Sequence, residues 1–548
     1  MTALFSRIKK RILREWRDAF GNFRLLRTGL RVAHQAHPRA DQRPVAFFNA
    51  STRLSRISLN AAYSLLTAWS LQLAGIPVVH FVCKSGMSRC VLGTNRDDLN
   101  ALPPCRACLA QTGRLLISAP VIWFSFEKNA ELERELEGTH VQQLSEYCFP
   151  LETSGETKLI LPLGQLVTPS LRWILRRHHL EDDEATRQLY REYILSAYRV
   201  AQEFTRFLLD IQPKCVVVFN GQFYPEATAR WIAMQHGIRV ITHEVGLRPF
   251  TAFFTEGEAT AYPLKIPQDF NLNEAQNARL DEYLSQRFQG QFSMAGIRFW
   301  PEMNLLGEDF IKRADKFQQI VPVFTNVIFD TSQPHSNTIF PHMFAWLDMI
   351  LEIARQHVGT LFVIRAHPDE YRPGKESRES VRQWVRLNQA EDLNNIVFID
   401  AQQPLSSYEL IQRSKFIMIY NSTIGLEASI LGKPVLCGGR SRFTQLPTVF
   451  FPSSPAEYRQ KAEEFLTAGQ IEVPVEFQRN ARRFLYFQLF ISSLPFEDYL
   501  EEDRVWPGFV HLRSFGWKHL LSQNSPTLGF IQEGLLRGGD FMRKDQVE

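Results

Sequence analysis

Cysteine is scarce, with seven in 548 residues. So few, odd in number and dispersed, exclude a disulfide-stapled secreted scaffold and fit reduced thiols. Net charge is small as well: 62 Lys and Arg against 58 Asp and Glu leave +4, which excludes a body built throughout for a polyanion. Gly and Pro, 29 each, are too few for a collagenous or low-complexity chain, and 45% hydrophobic with 22% charged residues exclude disorder. A membrane span is missing too. The uncharged run Ile57 to Cys83 is long enough, but it contains Asn60, Gln72, His80 and a Gly75-Ile76-Pro77 break, so it reads as a buried helix followed by a buried strand. The N-terminus lacks the apolar core and small-residue cleavage site of a secretory signal, so the expected location of the body is the cytoplasm.

The chain is long enough for two large α/β lobes with extensions. Its charge is uneven: residues 1–44 hold 11 Lys and Arg against 3 Asp and Glu, and the remainder sums to −4. On a helical wheel Leu4, Phe5, Ile8, Ile12, Trp16, Phe20 and Phe23 share one face, opposite Arg7, Lys10, Arg11, Arg14 and Arg17. That pattern suits a helix lying on an anionic membrane surface. A helix packed on the protein's own body is the other reading. Nucleic acid is not expected, because the basic residues do not continue into the body.

A recurrence organises the rest: helical pattern, glycine, then a short apolar strand. It occurs at Gly75-Ile76-Pro77-Val78, Gly237-Ile238-Arg239-Val240 and Gly432-Lys433-Pro434-Val435. Each glycine suits the left-handed position that ends a helix, and each apolar run a central parallel strand. Further strands are expected at Val45–Phe48, Cys215–Phe219, Ile320–Phe324, Leu361–Arg365, Ile396–Ile399 and Phe416–Tyr420. The fold class is therefore α/β, with two doubly wound, Rossmann-like lobes behind an N-terminal amphipathic helix. The expected divisions are an arm at 1–44, a first lobe at 45–290, a second lobe at 315–475 and a helical closing tail at 476–548. Residues 130–210 read as a helical insertion in the first lobe, and the boundary is expected within 285–318.

Ligands of open parallel sheets bind beyond the carboxyl ends of the strands. In the second lobe, Thr325, Asn326, Asp330, His367, Asp400, Asn421, Ser422 and Thr423 all fall there. The segment Asn421-Ser422-Thr423-Ile424-Gly425 leads into a helix bearing Glu427, an arrangement suited to a phosphate, with the carboxylate reaching ribose hydroxyls. An ordinary helix cap explains the same residues. Pro368 holds His367 extended, and Arg365, His367 and Lys375 together suit the charge of a leaving phosphate or diphosphate. In the first lobe, His243 or Glu244 at a strand end is placed to take a proton from an acceptor hydroxyl. Asn220-Gly221 and Ser51 to Arg53 are further polar strand ends. Cys83, Cys90, Cys105 and Cys108 form a C-x6-C-x14-C-x2-C cluster; four thiolates suit a structural Zn²⁺ or an iron–sulfur cluster. No Asp-x-Asp pair stands at a strand end, so no metal cofactor is expected for catalysis.

Arg-x-His-Pro at 365–368 followed by Asn-Ser-Thr-x-Gly-x-Glu-Ala and Gly-Lys-Pro-Val at 421–435 resembles the capsule polysaccharide biosynthesis proteins, a group of GT-B glycosyltransferases that includes bacterial Kdo transferases. Thr325 to Asp330, and Asn220-Gly221 with Glu226, are similar to that group too. The resemblance is good over 320–440 and looser over 215–250. It implies transfer from a nucleotide-sugar donor held in the second lobe by the residues above together with Lys433. The acceptor, a capsular or lipid-linked glycan, is implied in the first lobe beside Asn220, Gly221 and Glu226. With the arm, this gives an expected position at the inner face of the cell membrane. The helix-start Glu is also similar to the UDP-N-acetylglucosamine 2-epimerases, and the His-Pro pair to CDP-glycerol glycerophosphotransferases. A non-catalytic sugar- or nucleotide-binding scaffold at the membrane is the alternative outside enzymes.

Overall fold

The computed structural model describes residues 2–50, 56–152, 158–288, 304–503, 506 and 508–546, and the side chains of its first helix from Ala19 onward. The chain divides into two compact units. The first comprises 1–174, 181–262 and 490–548, and the second 175–180 and 263–489.

The first unit is built on short strands rich in β-branched and aromatic residues, of which the central ones, at 45–49, 78–83 and 215–219, are buried on both faces. They are β1 (Val45–Asn49), β2 (Val78–Cys83), β3 (Val121–Phe124), β4 (Cys215–Phe219), β5 (Arg239–Val245) and β6 (Thr251–Glu256). The order across the sheet is Leu494–Pro495, β6, β5, β4, β1, β2, β3. All neighbours from β5 to β3 are parallel, with Val45 paired to both Val78 and Cys215. The chain winds outward from β1 through β2 to β3, then returns to β4 and winds the other way. The direction of winding therefore reverses between β1 and β4.

The second unit repeats the plan with β7 (Gln319–Phe324), β8 (Thr360–Arg365), β9 (Ile396–Ile399), β10 (Ile417–Ile419) and β11 (Val435–Cys437). Their order is β9, β8, β7, β10, β11, all parallel. Here the winding reverses between β7 and β10. The glycines that punctuate both sheets, Gly75, Gly237 and Gly432, have φ of +79°, +65° and +76°, the left-handed conformation that ends a helix.

Three boundaries differ from the sequence-based expectation. The arm is not separate: helix Thr2–Gln35 buries Leu25 and Val32 in the same core as Phe47, Trp69 and Val217. The chain passes between units at Tyr262 and Pro263 rather than within 285–318, since helix Glu274–Phe288 docks on the closing helix Val475–Tyr486 of the second unit, where Arg482 binds Asn277 at 2.9 Å and Asp281 at 2.8 Å. The tail is shared out: 476–489 stays with the second unit, while helix Pro526–Arg537 buries Leu528, Ile531 and Leu535 in the core of the first.

Candidate active site

In the first unit a cleft with about 810 Å³ of empty space, open solvent included, lies where the winding reverses, the position at which doubly wound sheets hold ligands. Phe48 and Asn49 of β1 and Phe219 of β4 form part of its wall, and Asn60, His80, Glu226 and His243 bring polar groups to it. Helix Leu59–Leu73 contributes Asn60 and Ser64; its start is fixed by Ser58, which accepts the Ala61 N–H at 3.2 Å.

His80 and His243 are both buried, and burial lowers each imidazole to a pKa of about 3, so both are neutral near pH 7. His80 Nδ1 lies 2.9 Å from the Asn49 amide. The His243 ring stacks on Phe254, and its Nδ1 has no hydrogen-bond partner. Glu244 is differently occupied. Its carboxylate accepts from Asn60 Nδ2 at 3.0 Å, Asn220 Nδ2 at 2.7 Å and the Val245 N–H at 2.8 Å. It ties the start of helix Leu59–Leu73 to the Asn220 turn. Asn220 and Gly221 both have positive φ, +58° and +81°, and Asn220 Oδ1 accepts the Gln222 N–H at 3.0 Å in a tight turn. Glu226 is buried and lines the cleft. Ser51 and Arg53 lie outside the described residues.

In the second unit the reversal between β7 and β10 is bridged directly. Asn326 Nδ2 donates to Asn421 Oδ1 at 2.7 Å, and Asn421 Nδ2 donates to Ser336 Oγ at 2.6 Å. Thr325 Oγ1 donates to the Arg365 carbonyl at 3.1 Å, joining the ends of β7 and β8. Ser422 is buried and Thr423 half-buried at the following turn.

One strand further out, His367 adopts the expected extended backbone before Pro368 (φ −72°, ψ 134°), and its Nδ1 accepts the Asp369 N–H at 3.2 Å. Burial lowers its pKa, with Asp369 and Asp330 opposing the effect. Asp330 Oδ1 accepts the Ser332 N–H at 2.8 Å. Lys375 is also lowered, by desolvation first and then by Arg372, with Arg176 among the nearby cations and Asp369 and Asp330 acting the other way. Arg176 stacks over Phe329 with its guanidinium carbon 4.9 Å from the ring centre.

Arg176 and Arg372 were not among the residues expected at this site. Arg176 belongs to a stretch read as first-lobe insertion, yet residues 175–180 join the second unit. Glu379 anchors them by accepting the His178 and His179 N–H groups at 2.8 and 3.0 Å. The run Arg176-Arg177-His178-His179 between helical patterns was the available signal. In the first unit His80 was equally missed, being the one imidazole in an otherwise mostly apolar strand.

Four expected donor contacts have other occupations. Glu427 is enclosed: Oε1 accepts from Arg287 Nε at 2.7 Å and Oε2 from the Tyr408 hydroxyl, so a ribose would have to displace an ion pair. Arg365 spends its guanidinium on the carbonyls of Asp400 and Gln403, both at 2.7 Å. Lys433 precedes β11, at the end of the sheet away from the other site residues, and donates to the Gln412 and Ser414 carbonyls at 2.9 and 3.0 Å. At Gly425 a Cβ would lie 2.3 Å from the Ile419 side chain; the glycine lets the seven-residue helix Ile424–Ile430 close on β10.

The four clustered cysteines line one cavity in the first unit. Burial raises Cys83 to about 12 and Cys90 to about 11, the other thiols adding to the shift and the Gly86 and Gly93 N–H groups opposing it. Among the described residues no group of three or more His, Cys, Asp or Glu side chains is placed to hold a metal ion.

Residues 307–449 match the family model described as capsule polysaccharide biosynthesis protein. The matched residues lie within the second unit. They span β7 to β11 and include the Asn326–Asn421 bridge, His367 and Lys375. No curated protein matches the chain in sequence. Solved structures similar to it include Thermosulfurimonas dismutans KpsC, beta Kdo 2,4 transferase, at 12% identity over 56% of this chain and 87% of that one, TM-score 0.34. UDP-GlcNAc 2-epimerase from Neisseria meningitidis bound to UDP-GlcNAc is 14% identical over 80% and 94%, TM-score 0.23. Sucrose-phosphate synthase from Thermosynechococcus elongatus is 10% identical over 82% and 95%, TM-score 0.27. These are likenesses only.

Proposed function

We propose that the capsule biosynthesis segment is the donor side of a GT-B-type glycosyltransferase, which moves a sugar from a nucleotide-sugar to a growing surface polysaccharide. The observation that carries this reading is the matched segment seated on a sheet reversal whose two strand ends are joined by Asn326 and Asn421. In this reading the acceptor hydroxyl attacks the anomeric carbon, the bond from that carbon to the nucleotide's phosphate or diphosphate oxygen breaks, and the hydroxyl proton passes to a base. Lys375, Arg372 and Arg176 supply positive charge for the departing phosphate or diphosphate. Neutral His367 donates or accepts a hydrogen bond there and adds no charge. The base we assign to the strand end that carries His243 and Glu244, where His243 Nδ1 is unpartnered in the first unit's cleft. The acceptor glycan is assigned to that cleft.

Saturation-transfer NMR with a panel of nucleotides, followed by assay of the sugar donor so identified, tests the reading. Transfer should require an oligosaccharide acceptor, and Lys375→Ala should lower donor affinity. Interconversion of the nucleotide-sugar without any acceptor would instead establish epimerisation. Binding without either reaction would establish a scaffold.

The N-terminal helix we assign to an anionic membrane surface, which places the protein at the inner face of the cell membrane. Phe20 and Phe23, on the apolar face of the wheel, are 58% and 60% exposed, and basic residues cluster on the opposite side. No helix among the described residues is long and apolar enough to cross a membrane, so attachment in this reading is peripheral.

A further inference from the structure

The cysteine cavity stands apart from the transfer chemistry. It holds about 390 Å³ of empty space, open solvent included, and Cys83, Cys90, Cys105 and Cys108 reach it from three separate segments. Cys83 ends β2, Cys90 follows in the loop, and Cys105 and Cys108 sit one turn apart at the start of helix Cys105–Leu115, an i, i+3 spacing that puts both thiols on one face. Met87, Leu92, Pro103 and Pro104 make the rest of the wall largely apolar. None of the four forms a disulfide.

The two loop cysteines share a local geometry. The Gly86 N–H donates to Cys83 Sγ at 3.0 Å, and the Gly93 N–H donates to Cys90 Sγ at 3.2 Å. Both are Cys-x-x-Gly turns, and glycine is required in each. A Cβ on Gly86 would lie 2.4 Å from the Phe124 ring, and one on Gly93 would lie 2.7 Å from Pro103 Cβ. Backbone N–H groups aimed at sulfur stabilise thiolate and tune a bound metal centre. A buried thiol that merely packs as a small hydrophobe has no need of them.

We propose that these four cysteines hold an iron–sulfur cluster. Four thiols around one cavity satisfy the ligand count of either a zinc ion or a cluster. The spacing chooses between them. A lone ion draws all its ligands onto one point, and no described set of three is so placed. A cluster takes one or two cysteines per iron, so its thiolates stand further apart around a volume that the inorganic core fills. Ligation releases the four thiol protons and needs sulfide and iron, two irons of a resting cluster being ferric, so ferric iron has to be supplied along with any ferrous iron. Leu92 also lines the first unit's cleft, so the cluster braces that wall, a structural role independent of the transfer reaction and of its donor.

The full chain, purified without oxygen and reconstituted with ferrous and ferric iron and sulfide, tests this. Iron and acid-labile sulfide should be equal, at about two or four per chain, with visible charge-transfer absorption and a cluster signal in Mössbauer spectra. Cys105→Ser and Cys108→Ser should lose most of the iron, whereas Cys148→Ser, at an exposed thiol outside the cavity, should keep it. One zinc per chain, iron without sulfide, or no metal in the reconstituted wild-type protein would each overturn the proposal. The wild-type measurement decides the matter even where a cysteine variant fails to fold.

Discussion

Asn326 and Asn421, 95 residues apart in sequence, are joined by a 2.7 Å hydrogen bond across the point where the second sheet reverses its winding. Each amide also has a second partner: Asn326 Oδ1 accepts the Val327 N–H at 2.8 Å, and Asn421 Nδ2 reaches Ser336. The bridge fixes two loops that would otherwise move independently at the strand ends. Asn326→Ala or Asn421→Ala should weaken nucleotide binding about 5- to 10-fold, corresponding to one hydrogen bond of ~1 kcal/mol. Calorimetric titration should show this with the melting temperature little changed. Undiminished affinity in both variants would remove the site from this reversal.

The Arg287–Glu427 pair is enclosed on both sides, with 9% and 4% of the two side chains exposed. Removing one member leaves a buried charge uncompensated, so Glu427→Ala should cost about 3–5 kcal/mol of stability. Replacing both by apolar residues of similar volume should cost much less. Urea unfolding of the single and double variants checks this, and a Glu427→Ala protein of unchanged stability that loses only nucleotide affinity would restore the ribose-binding role.

His80 and His243 shape the response to acid. Each has a folded-state pKa of about 3 against an ordinary value near 6.5, so between these limits the unfolded chain binds more protons. The stabilisation is complete above about pH 6.5 and is lost progressively as pH falls toward 3. Urea midpoints should therefore drop between pH 7 and pH 5, and His243→Phe, which retains stacking on Phe254, should flatten that slope.

Glu370 has the opposite sign. Enclosed beside the His367 turn, with the Val381 N–H its weak compensation at 3.2 Å, it is raised by desolvation to about 8. The folded state then holds the extra proton, so its contribution is full below about pH 4.5 and disappears as pH rises through 8. Glu370→Gln should gain stability relative to wild type as pH is raised from 6 to 9. Parallel stability curves for the two proteins over that range would contradict the assignment.

Leu25 and Val32 are fully buried, so deletion of residues 1–18 leaves the packed half in place. The truncated protein should fold, lose most of its binding to anionic vesicles and keep activity on a soluble acceptor fragment. Wild-type binding should weaken with rising salt. Vesicle binding retained after truncation would show that the helix is not the attachment.

Much of the architecture was fixed by local chemistry. Gly75, Gly237 and Gly432 end helices because a left-handed residue is needed there, and the apolar runs after them become central strands because both of their faces are covered. Strand-end positions of Asn326, His367 and Asn421 follow from that periodicity alone. What occupies each side chain does not. Glu427 looked available for a ligand until the fold brought Arg287 and Tyr408 against it, and Lys433 looked like part of a binding motif until its place before β11 put it at the opposite end of the sheet from the site. Arg176 joins the second unit from a stretch that local pattern assigns to the first. These are long-range encounters set by how the sheets are crossed and covered. Sequence spacing carries hydrophobic period and backbone preference, whereas the partner of a buried charge is chosen only when the chain closes around it.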